Sequence, residues 1–377
     1  MAADTTSSKY KYPSIRSSIQ EPLFDITITT QINSISSNIN KKMSSTTVFV
    51  SGANGFIAQH VVKQLLNKGY SVVGTVRSAA KGDSLKQLTN SNKFSYEVVP
   101  DISADGAFYH ALKRHPEATV FIHTASPVSF SVNDVENELL QPAIRGTKNA
   151  LKAIHEYAPQ IKRVVVTSSV VAVFHWGKTT DFEKVHTETD WNPITYEESL
   201  ENSLFGYVGS KKFAELAAWE FMKENKTNFD ISFVNPSYSF GPQAFDIKDK
   251  SQLNLSAEVV NSVVKLRPQD KIPELVGTFI DVRDVARAHI FAFESDKAIN
   301  QRFLLANEKF SNESIANLIN VKFPNSGVPK GDLVRHVEQI KNEFNIDTTK
   351  TREILGFDFL GIEQSVFDTV QQIYAAN

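Results

Sequence analysis

The chain has 377 residues, of which 41% are hydrophobic and 22% charged, with a formal net charge of −2 and no cysteine. Such a composition suits a globular protein of two or three domain-sized pieces; it offers no basic footprint for nucleic acid and no apolar run of the ~18 residues that a bilayer span requires. The missing cysteines exclude a disulfide framework, a Cys-ligated zinc and a thiolate nucleophile, and they fit a cytoplasmic protein. The histidines never fall at the His-x-x-x-His spacing that would set two ligands on one helix face, so no bound metal is expected.

In chain order, residues 1–43 come first, as an extension rich in Ser, Thr and Asn. It lacks the continuous apolar stretch of a secretory signal, Arg16 is its only arginine, and it is expected to be disordered. Met43 offers a second starting point. Thr46 to Val50 then reads as a buried parallel strand, short, β-branched and unalternating. Gly52, Ala53, Asn54 and Gly55 form a glycine corner, and Phe56 and Ile57 open a stretch with apolar residues at helical steps to Leu66. Ser71 to Val76 is the next strand, which completes a βαβ unit within about 30 residues. A pyrophosphate at a helix N-terminus meets unpaired N–H groups and the positive end of the helix dipole, and glycine lets the backbone come close to it. The Gly-x-x-Gly-x-x-Ala spacing is one residue shorter than the usual dinucleotide fingerprint, but the flanking strands support the same use.

The end of the second strand separates the two nicotinamide cofactors. An NAD enzyme places Asp or Glu there to accept hydrogen bonds from the ribose 2′-hydroxyl. This chain has Arg77, with Lys81 four residues on, and two cations suit a 2′-phosphate; NADP(H) is therefore expected. Further strands end at Pro100-Asp101-Ile102, at His123-Thr124-Ala125-Ser126 and at Thr167-Ser168-Ser169, with a helix expected over Glu136 to His155. The alternation predicts a Rossmann-type doubly wound parallel sheet, whose ligands lie beyond the C-terminal strand ends. Asp101 and Ile102 should then flank the adenine, and Thr124 should lie near the nicotinamide ribose.

Reduction of a carbonyl by a nicotinamide needs a proton donor for the developing alkoxide. A tyrosine serves if an adjacent cation brings its pKa, about 10 when unperturbed, toward neutrality. Tyr and Lys at i and i+4 share a helix face, which makes that coupling geometrically easy. Two such pairs occur, Tyr109 with Lys113 and Tyr207 with Lys211. Tyr109 falls on the connection entering the fourth strand, which crosses the sheet face away from the strand ends, and is expected to be an ordinary helix residue. Tyr207 follows the strand that ends at Ser169, so that both can address one oxyanion.

Taken together, SGANGFIAQH, HTASP, VVVTSS, YVGSKKFAE, NPSYSFGPQ and FIDVRDVARAH resemble the extended short-chain dehydrogenase/reductase family. More narrowly they resemble its dihydroflavonol-reductase-like branch, and within that the fungal NADPH-dependent methylglyoxal/isovaleraldehyde reductases. The similarity runs from about Met43 to near the C-terminus. The resemblance implies that Ser169 polarises the carbonyl, that Tyr207 is the acid, and that Lys211 holds the ribose and lowers the Tyr207 pKa. It also implies cofactor contacts from Gly52 through Ile57, from Arg77, Lys81, Asp101 and Ile102, and from Ser239 and Ser256. In one respect the chain departs from the pattern. The fungal reductases usually carry an aromatic residue after Thr-Ser-Ser and a Phe after the Ser-Pro of HTASP, where this chain has Val170 and Val128. With Phe130 and Tyr238 these valines are expected to line a pocket that favours branched or aryl carbonyls.

After a strand at Ile231 to Val234 the regular alternation stops. Residues 44–235 are expected to form the NADP-binding domain, with 278–295 returning to it. The remainder of 236–377 should form a smaller mixed α/β domain that closes the substrate pocket. The Asp281, Arg283 and Asp284 cluster is expected to be structural. The whole reads as a monomeric or homodimeric NADPH-dependent reductase of small aldehydes and ketones, with no nucleic-acid or membrane partner. Its rivals are an NAD-dependent nucleotide-sugar epimerase or dehydratase on the same fold and a non-catalytic NADP-sensing protein.

Overall fold

The computed structural model describes residues 46–175, 182–247, 253 and 255–376. The expected N-terminal extension lies outside them. The first strand, β1 (Thr47–Ser51), is buried along its whole length, which is what a short run of apolar and β-branched residues requires when both faces of a sheet are covered. It leads into α1 (Phe56–Asn67), β2 (Ser71–Val76), α2 (Ala79–Thr89) and β3 (Phe94–Val98). Next come the short α3 (Tyr109–Arg114), β4 (Ala118–His123), α4 (Gln141–Tyr157) and β5 (Arg163–Thr167). The helix expected from Glu136 begins with a π turn, Glu136–Leu140, before α4 proper.

Beyond β5 a two-residue strand, β6 (Val185–His186), precedes the long α5 (Ser203–Glu224), then β7 (Asp230–Pro236) and β8 (Tyr238–Phe240). After α6 (Leu255–Val264) come β9 (Val276–Asp281), α7 (Val282–Glu294), β10 (Arg302–Leu305) and β11 (Glu308–Ser311). The chain ends with α8 (Asn312–Lys322), α9 (Leu333–Gln339), β12 (Asn345–Ile346), α10 (Thr349–Leu355) and α11 (Ile362–Ala375).

The main sheet has seven strands in the order β10-β7-β5-β4-β1-β2-β3. Every neighbouring pair in it is parallel. Strand order reverses between β1 and β4, and the crevice beyond their C-terminal ends is where such a sheet binds its ligand. Alternate residues of the strands feed two cores. On one face α1 and α7 pack Val61, Leu65, Val285 and Ile290 against Val48, Val50 and Ile122. On the other, Leu151 and Ile154 of α4 and Ala218 of α5 pack against Phe49, Phe121 and Phe233.

Of the expected return over 278–295, α7 packs on this sheet, whereas residues 278–281 belong to β9 of the smaller sheet. Strand β10 pairs with β7 through Arg302 to Leu305, adding an edge strand of four residues. The smaller assembly is a three-stranded sheet, β11-β9-β8, covered by α6, α8 and α11 around Phe240, Phe279, Phe310 and Val370. Because β8 follows β7 after a single residue, this second sheet is anchored beside the C-terminal edge of the first. Among the described residues, no helix is long and apolar enough to cross a membrane, and no group of three or more His, Cys, Asp or Glu could hold a metal ion.

Candidate active site

The glycine corner closes the C-terminal end of β1. Gly52 has φ of +64°, and a Cβ there would stand 3.0 Å from the Ala125 Cα at the end of β4. Only glycine permits that approach. Gly55 caps α1 with extended backbone and no side-chain cap, and the first turn carries no acidic residue. The dipole end and first-turn N–H groups of α1 are thus left for an anion. Ser51 staples the two strand ends together. Its Oγ accepts from the amides of Thr124 and Ala125 at 3.0 and 3.1 Å, while Thr124 Oγ1 donates to the Ser51 carbonyl. With both lone pairs used, the Ser51 proton goes to His123 Nδ1, 2.9 Å away, which places the ring proton on Nε2. Burial, aided by the charge of Lys211, holds His123 down at about 4 and therefore neutral.

Arg77 and Lys81 are exposed at the end of β2 and the start of α2. The charge of Arg77 reaches Asp101, whose carboxyl is held below its usual value mainly by the Ser103 hydroxyl. Beside Lys81 lies a cavity of about 910 Å³ lined in part by Asn54, Gln59, Ser84, Gln243 and Phe245. A cradle that a Cβ would obstruct, an uncapped helix start and two exposed cations fit a dinucleotide with a phosphate on its 2′-position. Ile102 packs its side chain against Gly146 of α4, where a Cβ would come within 2.7 Å of it.

Tyr207, Lys211 and Ser169 meet on the other side of the crevice. Asn202 Oδ1 caps α5 by accepting from the Phe205 amide at 2.9 Å, so the helix begins one turn before Tyr207. At Gly209 a Cβ would sit 2.0 Å from Ser199 Oγ, and this close approach fixes how α5 seats against the preceding turn. Lys211 Nζ lies 5.6 Å from the centre of the Tyr207 ring. Ser169 follows β5, caps the single turn Val170–Ala172, and lies near enough to the Tyr207 phenol for its hydroxyl to act on that phenol's pKa. Its hydroxyl also reaches the Pro236 carbonyl at 3.3 Å. Tyr109 lies instead on α3, its ring 4.4 Å from that of Tyr157, with Lys113 over the same ring at 4.0 Å.

The electrostatics differ from expectation in one respect. Burial pushes the Tyr207 phenol above its ordinary value, and the influence opposing it is the Ser169 hydroxyl rather than Lys211. Lys211 is itself pushed down, to about 8, by burial. A phenol held protonated suits the giving of a proton, which is the direction reduction needs. A pH dependence follows. The Lys211 ammonium is charged below about 8 and lost above it, so kcat/KM for the dinucleotide, which reports the free enzyme, should fall through pH about 8. In Lys211→Arg the guanidinium does not titrate there, and the alkaline limb should move up; a limb unmoved by that substitution would assign it to another group.

The remaining expected contacts fare unevenly. Ser239 is buried on β8 and its hydroxyl donates to the Ser237 carbonyl at 3.2 Å, so that donor is engaged within the chain. Ser237, one residue beyond β7, has a buried hydroxyl without a partner among the described residues. The side chain of Ser256 lies outside the described residues. Phe130 stands edge-on to Tyr207 with ring centres 5.3 Å apart, and burial raises the pKa of Tyr238, with Tyr207 among the groups that add to it. Val128 is exposed. Val170 is 5% exposed and packs with Val173, Phe174, Leu304 and Phe344, which leaves little of it to meet a substrate. Sequence reasoning also passed over Ser168, Glu215, Asn235 and Arg302, which are joined behind Ser169 by hydrogen bonds. Asp281 behaves as expected of a structural group, capping α7 and pairing with Arg283 at 2.7 Å.

A doubly wound sheet with a glycine corner at its switch point and a Ser–Tyr–Lys group across the crevice defines a dinucleotide-dependent enzyme of the short-chain dehydrogenase/reductase type. Residues 48–306 match the NAD dependent epimerase/dehydratase family, and the chain belongs to it. Over 337 residues it is 56% identical to a putative NADPH-dependent methylglyoxal reductase of Candida albicans, covering 88% of this chain and 99% of that protein. It is 44% identical to the NADPH-dependent methylglyoxal reductase of Saccharomyces cerevisiae, covering 86% of this chain and 97% of that one. Among solved structures, a Candida albicans protein in complex with NADPH superposes with a TM-score of 0.85 at 51% identity, covering 88% of this chain and 99% of that chain.

Proposed function

We propose that the protein is an NADPH-dependent carbonyl reductase that converts aldehydes or ketones of the methylglyoxal or isovaleraldehyde type to alcohols. The observation that carries this reading is the Tyr207 phenol, partly buried beside Lys211, within reach of the Ser169 hydroxyl and across the crevice from the glycine corner. Gly52 through Ile57 and the start of α1 would hold the pyrophosphate, and Arg77 with Lys81 the 2′-phosphate. The bound nicotinamide supplies the hydride. Ser169 donates a hydrogen bond to the carbonyl oxygen, Tyr207 gives that oxygen its proton, and Lys211 would hold the cofactor's ribose. The epimerase alternative calls for a carboxylate at the end of β2, where Arg77 stands. The relatives' names favour reduction as well. Incubation with NADPH and a panel of aldehydes, followed by the cofactor's absorbance, tests the reading. Aldehyde-dependent oxidation of NADPH supports it; none with any aldehyde or ketone overturns it.

Substrate choice should rest on the open side of the crevice. Val128 and Phe130 are 46% and 48% exposed. Valine in place of an aromatic ring leaves apolar room that a branched or aryl substrate fills and a small hydrated dicarbonyl does not. A difference of one or two methylene equivalents is worth about 10- to 200-fold in discrimination. We expect higher kcat/KM for isovaleraldehyde than for methylglyoxal. In Val128→Phe that ratio should fall about tenfold, whereas Val170→Tyr should chiefly destabilise the fold. A Val128→Phe ratio equal to that of the wild type would remove Val128 from the pocket.

A further inference from the structure

Glu215 lies eight residues beyond Tyr207 and four beyond Lys211, so the three share a stripe of α5. It is 1% exposed. One carboxylate oxygen accepts from Ser168 Oγ at 2.5 Å and from Asn235 Nδ2 at 2.9 Å; the other accepts from Arg302 Nε at 2.6 Å. Asn235 Nδ2 also donates to the carbonyl of Ser169 at 3.1 Å. Arg302 continues outward, donating from Nη1 to the carbonyls of Glu188 and Asp190, both at 2.7 Å, and lying over the Trp191 ring at 4.1 Å. The next residue, Asn192, donates to the carbonyls of Val171 and Phe174, both at 2.7 Å.

The pattern has a single centre. Ser169 is tethered on the side before it through Ser168, at its own carbonyl through Asn235, and beyond it through the 188–192 segment. Two of these tethers end on the Glu215 carboxylate, and the third ends on the arginine that pairs with it. A buried ion pair is a weak device for stability, since apolar residues of the same volume often do as well. Its use here is geometric: a charge in low dielectric orders every donor around it. The Ser169 turn and the helix that carries Tyr207 are thereby joined through one buried carboxylate.

We propose that Glu215, held by Arg302, is a positioning residue that keeps Ser169 in register with Tyr207. The inference rests on the catalytic reading of Ser169. A shift of about 1 Å in such a group can cost about a hundredfold in rate. Glu215→Gln keeps the shape but gives up the charge and one acceptor oxygen, and kcat should fall at least tenfold while the dissociation constant for NADPH changes less than about threefold.

A double-mutant cycle with Ser169→Ala is the test. If Glu215 works through Ser169, adding Glu215→Gln to Ser169→Ala should lower kcat by no more than about twofold. Losses that multiply, or a Glu215→Gln enzyme with wild-type kcat and only a lower Tm, overturn the positioning role. Wild-type kcat in Ser169→Ala overturns instead the catalytic reading beneath it. Should Glu215→Gln not fold, Ser168→Ala removes one tether and keeps the ion pair. The same cycle with that variant decides between the outcomes, and an unchanged kcat in Ser168→Ala counts against the inference.

Discussion

Tyr207→Phe should lower kcat by about 10² to 10⁴ and leave NADPH binding nearly as it is, because the ring stays and only the transferable proton goes. The packing that holds the ring supports a clean separation. Phe130 stands against its edge and Lys211 near its face, and neither contact needs the hydroxyl. Ser169 keeps its hydrogen bonds to the Pro236 carbonyl and from the Val171 amide. Tyr109→Phe is the control, since Tyr109 belongs to the same Tyr-x-x-x-Lys pattern but packs on Tyr157 at the sheet face. Equal loss in the two variants, measured as kcat at saturating NADPH and aldehyde, would move the chemistry away from the crevice.

Arg77→Glu should weaken NADPH by tenfold or more. A charge-assisted contact is worth about 1.5 to 3 kcal/mol, and the substitution replaces attraction with repulsion beside a dianionic phosphate. Lys81, in the first turn of α2, keeps part of the attraction, so the loss in Arg77→Glu/Lys81→Glu should be larger than in either single change. NADH lacks the phosphate and should be affected little, which narrows the preference between the two. The measurement is the dissociation constant of each cofactor in each protein. Unchanged NADPH binding in Arg77→Glu, or a wild type that binds NADH as well as NADPH, would contradict this role.

Much of the first half of the chain could be read directly because its signals are local. Strands β1 and β2 are short unalternating apolar runs, the glycine corner lies between them, and Tyr207 and Lys211 are one helical step apart. The parts that escaped depend on distant residues or very short elements. Strand β10 has four residues and acquires its meaning from pairing with β7, some 70 positions earlier. Strands β6 and β12 have two residues each and pair across 160 positions of sequence, Asn345 with Val185. The Glu215–Arg302 pair is separated by 87 positions, and neither residue differs in sequence from an ordinary surface charge.

Val170 illustrates a different limit. Adjacency to Ser169 placed it near the substrate, but Val170 is 5% exposed and packs with Phe344 and Leu304. The Ser239 hydroxyl donates to the carbonyl of Ser237, a local contact that the motif spacing does not show. Tyr207 was expected to be acidified by Lys211. Burial acts on both groups and leaves the phenol raised and the ammonium lowered, which a linear sequence does not reveal.

The central claim is net transfer of a hydride from NADPH to a carbonyl carbon. It is tested most directly with NADPH carrying deuterium at the transferable position of the nicotinamide and an aldehyde as acceptor. We expect one deuterium per molecule on the carbinol carbon of the product, in step with NADPH consumed. Tyr207→Phe should place the label at the same carbon but far more slowly. An alcohol without deuterium, or a nucleotide sugar transformed with no net consumption of cofactor while the aldehyde is untouched, would contradict it.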